Sequence, residues 1–182
     1  LVTGAAGFIG SHLCERLLRR GHPVVAMDCF DSFYDPRVKE RNLAVARAMD
    51  GFVEVRGDIR DREAYVRVPP DVDCVVHLAA RAGVRPSIEE PELYFDVNVS
   101  GTVALLEFMR ARGIRNLVFG SSSSVYGDSA TVPFSETDRA DRPISPYAAT
   151  KRSGELLVHS YADLYDMSAV CLRFFTVYLS LI

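Results

Sequence analysis

Cysteine is sparse in this chain, and its four occurrences follow no pattern. Cys14, Cys29, Cys74 and Cys171 show neither CxxC nor metal-ligand spacing, which excludes a disulfide framework and a thiolate metal site. They read as buried or incidental thiols of a reducing cytoplasm. At His77 and His159 no carboxylate or thiol completes a ligand set, so no metal is expected. Charge of one sign is also missing. The formal net charge is −3, and no basic excess suggests a nucleic-acid partner. No apolar run reaches the length needed to cross a membrane, and no signal-type stretch precedes the first strand. The chain opens inside that strand, so a few residues are expected ahead of Leu1. Internal repeats and low-complexity linkers are absent. Lysine is the scarcest charge, with only Lys39 and Lys151.

What is present suits an enzyme core. The 182 residues are 48% hydrophobic and 25% charged, enough to build one sizeable interior. Strand and helix signals alternate along them. Leu1-Val2-Thr3 ends a strand, and Ile9, Leu13, Leu17 and Leu18 have helical spacing. A second strand, 23–28, is followed by a helix over 36–49 and a short strand over 51–55. Asp61 is placed to cap a short helix. A fourth strand is expected over 72–78, then one long helix over 94–112 with Val99, Val103, Leu106 and Met109 on one side. A fifth strand over 116–119 runs into Ser121–Ser124, a helix follows over 146–165, and a sixth strand spans 169–175. Near-continuous apolar strands between helices predict an α/β fold with a doubly wound parallel sheet, Rossmann-type. Ligands of such sheets sit beyond the carboxyl ends of the strands.

The glycines Gly4, Gly7 and Gly10 stand at the first of those ends. Gly4 and Gly7 let the backbone turn sharply and approach a pyrophosphate, and Gly10 lets the helix pack on the strand. The helix opening there, around Phe8 and Ile9, offers free N–H groups and its dipole to an anion. An ordinary strand–turn–helix shares this glycine pattern, so the next strand matters more. It ends in Asp28, about twenty residues on, where a dinucleotide fold holds the adenosine ribose diol with an acid. That favours NAD over NADP. Arg37 and Lys39 are read as solvated helix charges.

Tyr147 and Lys151 are four apart on one helical face. A nearby cation favours phenolate and moves a tyrosine toward use as a base. Two solvated helix residues share that spacing, but the helix starts just after Pro143 and Pro146, beyond a strand that ends in hydroxyls. Ser122 lies 25 residues before Tyr147, with its hydroxyl available to share a substrate oxygen.

With Gly4, Gly7, Gly10, Asp28, Asp58-Ile59, His77-Leu-Ala-Ala80, Asn98, Ser122 and Tyr147/Lys151 in this order, residues 1–178 resemble an extended short-chain dehydrogenase/reductase. More narrowly, they resemble the NAD-dependent nucleotide-sugar epimerase/dehydratase family. Three stretches, 78–85, 96–102 and 173–178, look like UDP-glucuronate 4-epimerases. The resemblance implies NAD as a tightly held cofactor, bound by Gly4, Gly7, Phe8, Ile9, Gly10, Asp28, Asp58, Ile59, Leu78, Ala79, Ala80, Asn98, Tyr147, Lys151 and Phe174. It implies Ser122, Tyr147 and Lys151 as the catalytic set, and a UDP-sugar held by Arg85, Ser122, Ser123, Ser124, Tyr147 and Thr176. Related dehydratases carry an Asp-Glu pair where this chain has Ser123-Ser124, and related decarboxylases a glutamate at Ser124. Hydroxyls there favour plain epimerisation at C4. UDP-glucose/UDP-galactose epimerases, decarboxylases or dehydratases, and a regulatory NAD binder remain alternatives. The family pairs into homodimers through helices here at 94–112 and 145–165, with Tyr94, Leu105, Phe108, Leu157 and Tyr161 as contacts or as core. Tyr178 is followed by Leu-Ser-Leu-Ile182 rather than the family's Gly-Pro segment, so 179–182 is expected to be the start or remnant of a substrate domain otherwise largely absent.

Overall fold

The short apolar runs resolve into parallel strands; the inner ones are buried under helices, while the edge strands keep exposed residues such as Val53, Val170 and Leu172. In the computed structural model, which describes residues 1–128 and 133–178, the strands are β1 (Val2–Thr3), β2 (Val24–Asp28), β3 (Phe52–Arg56), β4 (Cys74–His77), β5 (Asn116–Ser122) and β6 (Ser168–Phe174). Their order across the sheet is β3-β2-β1-β4-β5-β6, with every pairing parallel. The direction of strand succession reverses beside β1. A crevice therefore opens there, at the carboxyl ends. The expected α/β doubly wound sheet is what forms; the reading of Leu179–Ile182 lies outside the described residues.

Successive side chains on a strand point to opposite layers. Ala26 joins Val2, Ala5, Cys14, Leu18 and Val24 under α1 (Phe8–Arg19) and α2 (Pro36–Arg47). Its neighbour Met27 joins Val75, Leu105, Leu106, Met109, Phe119 and Val158 on the other face. That second layer is covered by α5 (Gly101–Arg112) and α6 (Pro146–Tyr165). α6 lies close on β5 because Gly154 has no Cβ, which would otherwise overlap the Phe119 ring.

The stretch expected as one helix over 94–112 is more complicated. Two short helices, α3 (Val84–Glu89) and α4 (Pro91–Phe95), precede a π-helical turn at Asp96–Ser100 that leads into α5. The physical reason lies in Asn98, whose side chain turns inward to other segments and widens the turn (see below). The face over the core consists of Leu105, Leu106, Phe108 and Met109; Val99 and Val103 are only half-buried. Tyr94, Leu105 and Phe108, considered as dimer contacts, are buried within the chain, and Leu157 and Tyr161 pack on the same core. Asp61 caps a 3₁₀ turn through Glu63 N–H and Ala64 N–H, at the entry to Ala64–Arg67.

Candidate active site

The β1–α1 turn is shaped by two close approaches. Gly4 has φ +67°, and a Cβ there would lie 2.7 Å from the Ala79 nitrogen. A Cβ on Gly10 would strike the Gly4 carbonyl. Only glycine permits this passage, in which Gly7 N–H donates to Gly4 O at 3.1 Å and α1 begins. The first N–H groups of α1 have no intrahelical acceptor, so they and the helix dipole are open to an anion. The turn floors a cavity of about 660 Å³. Its walls include Phe8, Ile9, Asp58 and Ile59, then Leu78, Ala79, Ala80, Ser122, Tyr147, Lys151 and Phe174. Elements separated by up to 170 residues in sequence thus converge at one end of the sheet.

Asp28 is 7% exposed and heavily engaged. Its Oδ2 accepts from Ala6 N–H at 3.0 Å, and Oδ1 from Phe30 N–H at 2.8 Å. Lys39 Nζ lies 3.3 Å from Oδ1. This corrects the reading of Lys39 as a solvated charge: it is 7% exposed and lines the cavity. Arg37 is outside and pairs with Asp35. The carboxylate keeps part of its acceptor capacity for a ribose hydroxyl, beside an ammonium. Asp58, after β3, accepts from the Arg60 guanidinium at 2.6 and 3.0 Å and from the Arg60 N–H at 2.8 Å, which keep its carboxyl below the usual range.

At the other end, Tyr147 and Lys151 emerge from the start of α6. Ser145 caps that helix by accepting from Ala148 N–H at 3.1 Å, with Pro146 at its first position. Lys151 is 6% exposed; its Nζ donates to Gly120 O at 2.7 Å, and burial pulls its pKa down to about 8. Burial pushes the Tyr147 phenol above its usual value, with a hydrogen bond to Ser122 pulling the other way. Lys151 alone therefore does not bring this phenol below its usual value. The ammonium is committed to a carbonyl, and desolvation dominates. Ser122 Oγ in turn donates to Ser124 Oγ at 3.1 Å.

Glycine cradle, ribose acid, and a serine–tyrosine–lysine cluster occupy one crevice. A family model described as the NAD dependent epimerase/dehydratase family matches residues 1–181. The chain belongs to that family. It is 45% identical over 180 residues to a probable UDP-glucuronate 4-epimerase of Rhizobium meliloti, covering 98% of this chain and 53% of the relative. It is 45% identical over 181 residues to UDP-glucuronate 4-epimerase 1 of Arabidopsis thaliana, covering 98% and 42%. The chain thus spans about half the length of the curated relatives it matches. Among solved structures it resembles the UDP-glucuronic acid 4-epimerase of Bacillus cereus in complex with UDP-glucuronic acid and NAD. There the TM-score is 0.89 and identity 39%, over 97% of this chain and 56% of that one.

Not every residue singled out in the sequence lines the crevice of this epimerase-family chain. Asn98 is 3% exposed but lies behind the wall. Its amide accepts from Arg81 N–H at 2.7 Å and donates to Arg81 O and Thr150 Oγ1, both at 3.0 Å. It ties the β4 exit to α6 and does not itself reach the cavity. Arg85 sits exposed on α3, away from the lining; the helix itself was missed, and it turns this side chain outward. Ser123 and Ser124 form a half-buried 3₁₀ turn beside the cavity wall, and Thr176 is exposed beyond β6. His77, conversely, is a core residue: Thr3 and Thr102 hydroxyls satisfy its ring, and burial lowers its pKa to about 3. Among the described residues no cluster of three or more potential ligands is placed for a metal, and no helix is long and apolar enough to cross a membrane.

Four participants escaped the sequence reading. Lys39 and Arg81 needed the β2 and β4 loops in register. Tyr94, whose ring meets Tyr147 edge-on at 6.3 Å, needed the π turn. Glu155 behind β5 carried a signal in sequence, a lone acid on the inner face of α6, which passes unnoticed without the strand it faces.

Proposed function

We propose that this chain carries the NAD-binding and proton-transfer machinery of a UDP-sugar C4 epimerase, with UDP-glucuronate as substrate and UDP-galacturonate as product. The observation that carries this reading is the meeting of Ser122, Tyr147 and Lys151 at one end of the glycine-cradled crevice. The residues fit the cofactor: Gly4 and Gly10, where a Cβ would strike the backbone of Ala79 and of Gly4, allow the tight turn that floors the crevice, and Asp28 stands where a ribose diol would be held. NAD when bound supplies a reversible hydride acceptor. Tyr147 would take the proton of the sugar 4-hydroxyl and later return it. Ser122 would hold that oxygen and pass the proton outward, toward Ser124. Lys151 would meet the nicotinamide ribose while anchored on Gly120.

The choice of epimerisation over elimination or decarboxylation rests on where acids stand. The carboxylates among the described lining residues are Asp28, Asp31 and Asp58, at the end of β2 and on the loops after β2 and β3. Beside Ser122 and Tyr147 the cavity offers hydroxyls, which neither abstract a C5 proton nor protonate a leaving group at neutral pH. The likeness to UDP-glucuronate epimerases favours the uronate over neutral hexoses.

Calorimetry should find NAD bound in preference to NADP, with Asp28→Ala weakening NAD by about 1–3 kcal/mol. A chain extended to the relatives' full length should convert UDP-glucuronate to a product of unchanged mass that separates chromatographically as UDP-galacturonate. A pentose nucleotide or a dehydrated product as the main species would refute the reading. We also infer that two copies pair through the outer faces of α5 and α6; on α6, Leu156, Leu164 and Tyr165 stay exposed. Light scattering tests this, and a monomeric mass at high concentration would dismiss it.

A further inference from the structure

The loops after β2 and β4 touch each other although β1 lies between their strands. Parallel strands are about 4.8 Å apart, so β2 and β4 are separated by roughly twice that. The contact that crosses this gap is the side chain of Arg81. Its guanidinium lies 3.6 Å from Asp31 Oδ1 and 5.3 Å from the centre of the Phe33 ring. To reach them from the β4 exit it must pass over the carboxyl end of β1, above the Gly4–Gly10 turn. Arg81, Asp31 and Phe33 all line the cavity.

The root and the tip of this arm are held differently. Both backbone polar groups of Arg81 are fixed by the single amide of Asn98, at 2.7 and 3.0 Å. The tip is loose by comparison. Arg60 is gripped by Asp58 and Asp96, and Lys151 by the Gly120 carbonyl at 2.7 Å, whereas the Arg81–Asp31 pair has the wider separation of an ion pair without a tight hydrogen bond. Asp31 is 40% exposed, and its Oδ1 also accepts from Phe33 N–H at 2.8 Å, which keeps the acid and the ring together. A firm root with a weakly latched tip is a hinge arm.

We propose that Arg81 is a cofactor-retaining residue, a strap that closes on Asp31 and Phe33 over the pyrophosphate of a dinucleotide lying on the glycine turn. This deepens the NAD reading and rests on it. The guanidinium has five donors, so it can keep the Asp31 latch while facing phosphate oxygens beneath. Bound phosphate then strengthens the closed arrangement, and the dinucleotide leaves only when the latch opens. Retention of this kind suits an enzyme that regenerates its cofactor in every cycle, since release brings no benefit. It acts mainly on the dissociation rate, because the latch must open before the dinucleotide can leave.

The test loads the chain with NADH and follows the loss of its fluorescence after a chase with excess NAD. Arg81→Met and Asp31→Asn should each speed release by about tenfold. The double variant should be no faster than Arg81→Met alone, because the two groups act as one unit. Arg81→Lys should restore most of the retention. Both side chains lie on loop ends, so the melting temperature of the cofactor-free variants should match that of the parent. Release from Arg81→Met at the parent rate overturns the strap. So does acceleration by Arg81→Met with none from Asp31→Asn, which would make the arginine a phosphate contact alone. A parent chain that binds no NADH at all overturns the cofactor reading itself, a different result from either.

Discussion

In a chain extended to the relatives' full length, Tyr147→Phe should abolish nearly all turnover while leaving NAD affinity almost unchanged. In the proposed reaction the phenol hydroxyl exchanges a proton with a substrate oxygen shared by Ser122, and loss of such a group lowers kcat by about 10²–10⁴-fold. Its ring packs edge-on against Tyr94, and phenylalanine keeps that contact. The wall of the crevice is therefore preserved, and so should be binding. A second readout separates chemistry from packing. Without NAD, burial holds the phenol above its usual pKa, as it does those of Tyr34, Tyr65, Tyr94 and Tyr161, so the Tyr147 transition is read as the difference between the ultraviolet titrations of the parent and Tyr147→Phe. Adding NAD should shift the same transition to lower pH, since a positive nicotinamide ring supplies the cation that Lys151, drawn to Gly120 O, does not. A phenylalanine variant with most of its turnover intact would end the assignment.

How far the sequence leads toward this site depends on the range of the interaction. The glycine turn, the acid at the end of β2 and the Tyr147/Lys151 pair are local: each is written within one strand–turn–helix unit or one helical turn. So is α6, whose Ser145 cap and Pro146 mark its start. The strand order is legible too, because doubly wound sheets admit few alternatives once apolar strands alternate with helices. What stays hidden are partnerships across segments. Lys39 looks solvated until α2 folds back and sets it on Asp28. Arg85 invites a ligand until α3 turns it outward. Asn98 looks like a cofactor contact until the π turn buries it between Arg81 and Thr150. The same holds for the tyrosine's acidity: spacing places a cation one turn away, but only coordinates reveal that the cation already has a carbonyl partner. Residues such as Leu105 and Phe108 could face a second copy or the sheet, and periodicity alone does not choose.

The largest effect on stability should come from a residue outside the crevice. Glu155→Ala should cost about 3–5 kcal/mol, a large share of the roughly 5–15 kcal/mol that holds a domain together. Glu155 is 5% exposed on the inner face of α6. Its carboxylate accepts from Arg173 at 2.9 and 3.0 Å, from Ser121 Oγ at 2.6 Å and from Arg152 at 2.8 Å. Removing it strands the half-buried Arg173 guanidinium and a buried hydroxyl together, and that desolvation dominates the loss. Burial alone would raise the Glu155 pKa, but the hydrogen bonds from Arg173, Ser121 and Arg152 outweigh it, and the net shift is downward. The sign follows. The unfolded carboxyl, near 4.5, takes up its proton before the folded one. The contribution of Glu155 is therefore complete above that value and is lost as pH falls through the lower folded pKa. Denaturant midpoints should show this, with Glu155→Gln flattening that part of the acid limb. The effect should reach the site as well. Ser121 pairs with Arg173 and Ser122 with Phe174 across β5 and β6, so one carboxylate on α6 pins both strands next to the serine that must meet Tyr147 on the same helix. Variants that remain folded should consequently lose turnover more than NAD affinity. A Glu155→Ala chain within about 1 kcal/mol of the parent at neutral pH would show that the arginines find other partners and that the network is dispensable.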